Sequence, residues 1–519
     1  MNKNNYYIIL IILQLGFINS QTTLRYAETI APSQPYPYKD YPLTMERIHL
    51  YALLHEPLLL DDPRTLLPKS NIIDLESSRL ENNKFYITVE DSWYFQPSDG
   101  DGAIKVSDVL YSIQQFISAN PHSDGQYLYN KNEKIENVSN QILITTTNDI
   151  TLGDSLEILN KLRKVYVIPY NSGKDAGHTF IKTPSTAGAF QWKGFSPQLT
   201  ILTSEDSDSY YPGKPQIDNI HILEVPFKMN IATKLKYGEL DLMLDANYFD
   251  YFAFKDKSDE FKTEELPSLT MNLLFFNFSN KIFEDIDIRE ALNIAINKKE
   301  ILTKYDQTAT ALYGPVPSRN IYYNNEMKGE AYNEKKASEL FRRLGYKKES
   351  GYIRDNDGSK LIFKLYCSSK ITATERNIRD MVVENLESIG LIIKVIEKTP
   401  MLLKNTLKNK PQKWDLYYST TKIEKRQFID NYFYSKKSDN LNYGNYNNPE
   451  IDKLIDHFNR TDGSERLKLG PEIHRMLTDE YACIPLVASN NWTIYNSSLR
   501  PVIKPYYIFS KPHRWRFID

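Results

Sequence analysis

The sequence predicts an α/β protein of two lobes, and three observations carry that reading. At 519 residues the chain is too long for a single hydrophobic core. Strand-like and helix-like periodicities alternate along most of its length, as in α/β folds. Near residue 280 a strongly apolar strand, "SLTMNLLFFNFSN", ends in closely spaced helices that open a second unit.

The elements follow in order. Residues 1–20 read as a secretory signal peptide: Lys3 gives a positive start, Tyr6 to Ile18 is an apolar run too short to span comfortably, and Ser20 offers a small residue for cleavage before Gln21. No Cys near that point offers a lipid attachment, and no later apolar stretch is long enough to cross a membrane. A periplasmic or extracellular protein is therefore expected. "MERIHLYALLHEPLLLDD" reads as a buried helix running into a turn, and "NKFYITVEDSWYF" alternates as a strand. "VSDVLYSIQQFISA" is an amphipathic helix that Ser107 or Asp108 is placed to cap. "IATKLKYGELDLML" continues the alternation, and "DSDSYYPGKPQIDNI" is a surface excursion between strands.

The second unit starts with "IREALNIAINKKEIL". Ile288, Leu292, Ala295 and Ile296 make one apolar stripe, with Asp287 as expected cap and Glu290 reaching back to it. Asn297 repeats the device with Glu300, so a second helix restarts there. "EKKASELFRRLGY" is a helix closed by Gly345, and "KLIFKLYCSS" is a strand. "ERNIRDMVVENLESIGLIIKVIE" is a helix, a Gly390 cap and a strand. "NNPEIDKLIDHFN" starts a helix with Asn448 as cap and Pro449 at its first position.

Composition excludes several classes. The 64 Lys and Arg nearly cancel the 66 Asp and Glu, which leaves no basic field for nucleic acid. There is no Gly-x-Ser-x-Gly elbow, phosphate-cradling loop or His-Glu-x-x-His helix. The eight His are scattered, and neither a metal site nor a cofactor is expected. Cys367 and Cys483 sit in apolar settings, where a small buried thiol is the common outcome and a disulfide the alternative. Asp241 with Asp245 is the carboxylate pair that a secreted hydrolase would need, although paired surface carboxylates are the commoner origin of such a pattern.

The order of motifs resembles the extracellular solute-binding proteins of the dipeptide, oligopeptide and nickel family, the ligand-capturing components of ABC importers. The likeness runs from about residue 45 to about residue 495. "NKFYITVEDSWYFQPSDGDGAIKVSDVLYSI" is similar to the family's strand, Asp-Gly turn and Asp-Val-x-Tyr-Ser helix. "STAGAFQW" stands where members carry a Gly-Thr-Gly-Pro-Tyr turn, and "YGELDLML" resembles the Gly-Glu-x-Asp entry to a cleft strand. "FFNFSNKIFEDIDIREALNIAINKKEIL" is the strongest match. "YGPVPS", "ASELFRRLGY", "YNNPEIDKLI" and "CIPLV" follow in family order.

The resemblance implies a two-lobed periplasmic-binding-protein-like fold with hinge strands between the lobes and a subdomain inserted in the first. The implied division is 21–275 for lobe I, with the insertion at about 51–164, then 276–487 for lobe II and 488–519 for a C-terminal return to lobe I. The implied function is capture of a small solute, most readily a peptide, and delivery to ABC permease membrane subunits by a monomer that carries out no reaction. A metal chelate or an oligosaccharide is the alternative ligand on the same fold.

Site residues follow from the same resemblance. Peptide binders of the family supply an Asp for the peptide's α-ammonium from a Gly-Trp-x-Ala-Asp-Tyr segment after a Tyr-Asp-containing strand. Aligning "KWDLYYSTTKIEKRQF" on Trp414 and Asp415 puts Glu424 at that Asp position, so Glu424 is the leading partner for a ligand ammonium. Thr420 and Thr421 replace Gly-Trp, and Lys422 with Lys425 and Arg426 would favour a ligand carboxylate; a solvated charged loop is the competing reading. Asp245, Asn247 and Tyr248 follow the cleft-entry strand. Trp192 and Trp93 are candidates for a pocket floor or for core, and Arg319, after "GPVPS", for the rim.

Overall fold

The computed structural model describes residues 21–38, 44–61, 68–90, 92–96, 102–119, 128, 132–146, 155, 158–159, 161–163, 165–170, 184–205, 210, 212–423, 428, 430–436, 441–461, 463–503, 508–509 and 511–518. The expected signal segment lies outside them.

The strands used below are, in chain order, β1 (Thr23–Glu28), β2 (Ile73–Glu81), β3 (Lys84–Val89), β4 (Asn132–Val138), β5 (Gln141–Thr146), β6 (Gln191–Ser196), β7 (Leu199–Thr203), β8 (Asn219–Glu224), β9 (Leu242–Ala246), β10 (Phe261–Phe276), β11 (Thr310–Ala311), β12 (Ile362–Ser368), β13 (Ile392–Lys398), β14 (Leu416–Ile423) and β15 (Cys483–Asn496). One eleven-stranded sheet runs β13-β12-β14-β10-β15-β9-β1-β8-β7-β6, with β11 added to β15. A separate four-stranded sheet, β2-β3-β5-β4, lies within the stretch expected as the insertion.

β10 and β15, 16 and 14 residues long, are the antiparallel pair through which the large sheet passes from one lobe to the other. Their ladder has a break. Phe261–Glu265 pair with Asn496–Trp492, and pairing resumes only at Leu269 opposite Asn490. Pro267 lies in the gap and has no N–H to give to a ladder. A bend between the lobes is cheapest where the ladder is already open.

Side-chain alternation along β10 fills two cores at once. Leu274 and Phe276 face one buried cluster, with Ile288, Leu292, Leu340, Phe363 and Leu386. Met271, Leu273 and Phe275 face the other, with Ile451, Ile455, Phe458 and Ile473. The first lobe is sealed by a cluster that runs from Leu24 and Tyr26 through Leu50, Phe116 and Ile142 to Phe509 and Trp515, so the C-terminal segment returns to it.

The helices needed here are α1 (Met45–Leu54), α2 (Val106–Ala119), α3 (Lys228–Lys236), α4 (Tyr248–Phe254), α5 (Ile286–Ile294), α6 (Lys298–Tyr305), α7 (Glu334–Arg343), α8 (Ala373–Ser388), α9 (Pro400–Asn409), α10 (Pro449–Asn459) and α11 (Gly463–Asp479). Asn297 caps α6 by accepting from Glu300 N at 3.1 Å, and Asn448 caps α10 from Glu450 N and Ile451 N. Two cap expectations are corrected. α5 is capped by Asp285, which accepts from Asp287 N at 2.9 Å, because a 3-10 turn over Lys281–Glu284 leaves Asp285 extended just before the helix; Glu290 instead pairs with Lys336. α2 begins at Val106, so Ser107 and Asp108 lie inside it, and Asp108 turns back to accept from Lys105 N at 2.8 Å. Gly345 and Gly390 close their helices at φ +93° and +109°, a region that favours glycine.

Arg289 secures the start of the second lobe. Its guanidinium donates to Phe283 O at 2.6 Å, Glu284 O at 3.0 Å and Glu480 O at 2.8 Å, tying α5 to the turn before it and to the residue that follows α11 ahead of β15. Cys367 and Cys483 are both buried free thiols. Asn277 is buried, and its amide donates to Pro411 O and Trp414 O at 2.7 Å each.

Candidate functional site

In open α/β sheets ligands bind beyond the carboxyl ends of the strands. β1 runs parallel to β8 and β9, and β12 runs parallel to β13 and β14. The two parallel sets head toward each other, because β9, β15, β10 and β14 are successively antiparallel. β9 ends at Ala246, opposite Trp492; β14 ends at Ile423, opposite Leu269, whose other partner is Asn490. The two carboxyl ends therefore arrive from opposite lobes at the ladder break, three strand spacings apart, or about 15 Å.

From the first lobe come Asp245, Asn247 and Tyr248. Asp245 sits in a bulge between Met243 and Ala246 with φ +52°, a left-handed conformation that Asp and Asn adopt more readily than most residues. Asn247 caps α4, accepting from Phe249 N at 2.8 Å and Asp250 N at 3.2 Å, while Asp250 accepts from Asn247 N at 3.0 Å. Tyr248 opens α4 and packs its ring on Phe249 and Phe252, both more than half exposed. Tyr251 stacks on Trp492 of β15 at 3.9 Å, which docks α4 on the strand crossing between the lobes.

Sequence reasoning missed Glu28, the last residue of β1. It is buried beside His49 of α1, with Oε1 2.8 Å from Nδ1. Burial raises the Glu28 carboxyl above its ordinary range; the His49 hydrogen bond opposes this, and Glu46 and Asp245 add to it. Three carboxyl groups, those of Glu28, Glu46 and Asp245, thus lie within electrostatic reach of one another at this end of the first lobe.

From the second lobe comes the end of β14. Thr421 lies 2.9 Å from the Tyr432 hydroxyl and 3.1 Å from Ser419 Oγ, and Tyr432 stacks on Phe275 with centroids 5.3 Å apart. Its hydroxyl is thus part of a fixed chain beside the second-lobe core. The backbone of Lys422 pairs with Thr270, and its side chain, like the whole of Glu424, Lys425 and Arg426, lies outside the described residues.

The remaining candidates are engaged as follows. Trp192 (6% exposed) and Trp93 (2%) pack in the first-lobe core, Trp93 donating to Ala187 O at 3.0 Å. Arg319 is engaged by Glu265 and by Asn490 Oδ1, the latter at 2.9 Å. Asp241 is gripped by Arg25, whose Nε and Nη2 donate at 3.0 and 2.8 Å, so it is an ion-pair partner rather than half of a carboxylate dyad. Among the described residues no three His, Cys, Asp or Glu side chains converge to hold a metal ion, and no helix is long and apolar enough to cross a membrane.

Comparison with known proteins adds the following. The model for the bacterial extracellular solute-binding proteins, family 5, matches residues 96–440. The chain is similar to the oligopeptide-binding protein AppA of Bacillus subtilis, 26% identical over 60% of this chain; it spans 58% of that relative's length. It is also similar to heme-binding protein A of Haemophilus influenzae, 24% identical over 82% of this chain and 77% of that one. Among solved structures, NikA from Brucella suis in complex with Fe(III)-EDTA superposes with a TM-score of 0.80 at 18% identity, over 96% of this chain and all of that one.

Proposed function

This chain belongs to the bacterial extracellular solute-binding proteins, family 5, and on that footing we propose that it captures a peptide between its lobes and hands it unaltered to the membrane subunits of an ABC permease. The observation that carries the reading is the meeting of β9 and β14 at the break in the β10–β15 ladder. A ligand lodged there touches both lobes only when they are closed, so it stabilises the closed state by its differential affinity for that state. The name of the Bacillus subtilis relative supports a peptide as the guest.

In this reading the Asp245–Tyr248 turn and Glu28 face the ligand from the first lobe. Thr421, Lys422 and Glu424 face it from the second, with Glu424 taking the peptide ammonium. The protein acts as an exported monomer outside the cytoplasmic membrane, its two lobes joined across the break in the β10–β15 ladder and its C-terminal segment returned to the first.

Native mass spectrometry of the purified mature protein, followed by thermal-shift titration with short peptides, metal chelates and oligosaccharides, tests this. A peptide present at a hundred times its dissociation constant should add about 2.7 kcal/mol of stability. Stabilisation by a chelate or a sugar but by no peptide would overturn the ligand assignment, and conversion of the trapped compound to a product would overturn capture without reaction.

A further inference from the structure

We infer that Arg319 is a positioning residue for ligand capture, which braces the hinge between the lobes instead of touching the ligand. The inference rests on the capture reading above for its consequence and on separate contacts for its geometry. Arg319 belongs to the second lobe: Leu312, Val316 and Tyr322 around it are buried in one core with Met271 and Leu273. Glu265 belongs to the first lobe: it pairs with Trp492 on the near side of the ladder break, and the adjoining Leu266 is buried in the first-lobe core. Asn490 is on the far side, opposite Leu269.

The Arg319 guanidinium therefore spans the break, with Nη1 donating to Glu265 Oε1 on one side and to Asn490 Oδ1 at 2.9 Å on the other. The Asn490 amide is oriented by its own donation to Thr308 O at 2.9 Å, which turns its oxygen toward Arg319. The arginine and glutamate side chains are 38% and 26% exposed, so solvent and salt screen the pair less than a fully exposed one. Arg319, Asn490 and Thr308 move together with the second lobe. A rotation at the break therefore leaves the Asn490 contact intact and changes the distance to Glu265. The ion pair weights one interlobe angle against the others. Apparent affinity scales with the fraction of molecules in the binding-competent arrangement, so a residue that sets this fraction sets affinity without contacting ligand.

The test is the interlobe distance distribution of the full mature chain without ligand, by single-molecule fluorescence transfer between one label on each lobe. Glu265→Gln and Arg319→Gln should each shift or broaden the distribution while the thermal midpoint stays put. The exchanged pair, Arg319→Glu with Glu265→Arg, should restore it, and raised ionic strength should move the wild-type distribution toward that of the single variants. Where a bound peptide is in hand, each single variant should change its affinity at least about fivefold. Distributions that superimpose on wild type, at low and at high salt, would overturn the brace, and normal peptide binding by the same variants would leave the capture reading standing. Shifted distributions in a protein that binds no peptide would do the reverse.

Discussion

The Gly188 amide donates to the Leu54 carbonyl at 2.8 Å, laying the 185–192 segment flush against the end of α1. A Cβ at position 188 would come 2.4 Å from Leu53 O, 2.5 Å from Leu54 C and 2.7 Å from His55 N. All three are backbone atoms, so nothing there can swing aside. Gly188→Ala should destabilise the protein by about 3 kcal/mol, read as a lower denaturation midpoint at unchanged slope. A loss below about 0.5 kcal/mol, the range of an ordinary surface substitution, would show that α1 and the segment separate freely.

Arg289 is buried, and its guanidinium serves three backbone carbonyls, those of Phe283, Glu284 and Glu480. Burial lowers its pKa, and the nearby Tyr446, Glu480 and Asp285 oppose this only in part. Arg289→Met fills a similar volume but leaves the carbonyls without a donor, so urea unfolding should show a loss of about 3 kcal/mol. Arg289→Lys, with fewer donors and no planar fork, should recover only part of it. An Arg289→Met protein as stable as wild type would mean that water takes over those carbonyls.

These two positions also mark what was legible in the sequence. Caps whose donor and acceptor lie three residues apart are local, and Asn297 and Asn448 are legible as caps for that reason. The cap of α5 was not, because Asp285 and Asp287 are equivalent as letters and the preceding 3-10 turn decides between them. The strand ends that border the cleft were reachable through family resemblance, since "YGELDLML" and "KWDLYYSTTKIEKRQF" are short continuous motifs. The Glu28–His49 pair joins a strand to a helix and has no local pattern to announce it. The contacts of Arg319 have no local pattern either, because its partners Glu265 and Asn490 are 54 and 171 positions away.

Asp245 combines a left-handed backbone, at φ +52°, with a charge close enough to raise the Glu28 pKa. Asn tolerates the same backbone, so Asp245→Asn removes the charge alone. With a peptide ligand in hand, titration calorimetry should show at least about a tenfold weaker dissociation constant, or about 1.4 kcal/mol, with little change in melting temperature. Asp245→Val, which cannot adopt the conformation without strain, should lower stability as well, by about 1–2 kcal/mol. Unchanged affinity in Asp245→Asn would remove the Asp245–Tyr248 turn from the site.

Lys298 gives the pH-dependent prediction. Its ammonium is buried in the second lobe and donates to Asn293 Oδ1 at 3.1 Å and Leu312 O at 3.0 Å. Burial pushes its pKa down to about 7, while the nearby Cys483 and Glu330 act to raise it. The unfolded chain keeps the ordinary lysine value of about 10.4. Between these two values the unfolded state holds a proton that the folded state has released, so folding stability rises with pH across that window, by up to about 1.4 kcal/mol per unit. Below about 7 both states are protonated and this contribution is flat. Lys298→Met loses two hydrogen bonds at every pH and has nothing to titrate. The stability of wild type relative to Lys298→Met should therefore be constant from pH 5 to 6.5 and grow from about pH 7 toward pH 9.5, as measured by chemical denaturation at each pH. Parallel curves for the two proteins across that window would mean that Lys298 stays charged in the folded state, with its ammonium balanced by groups beyond Asn293 and Leu312.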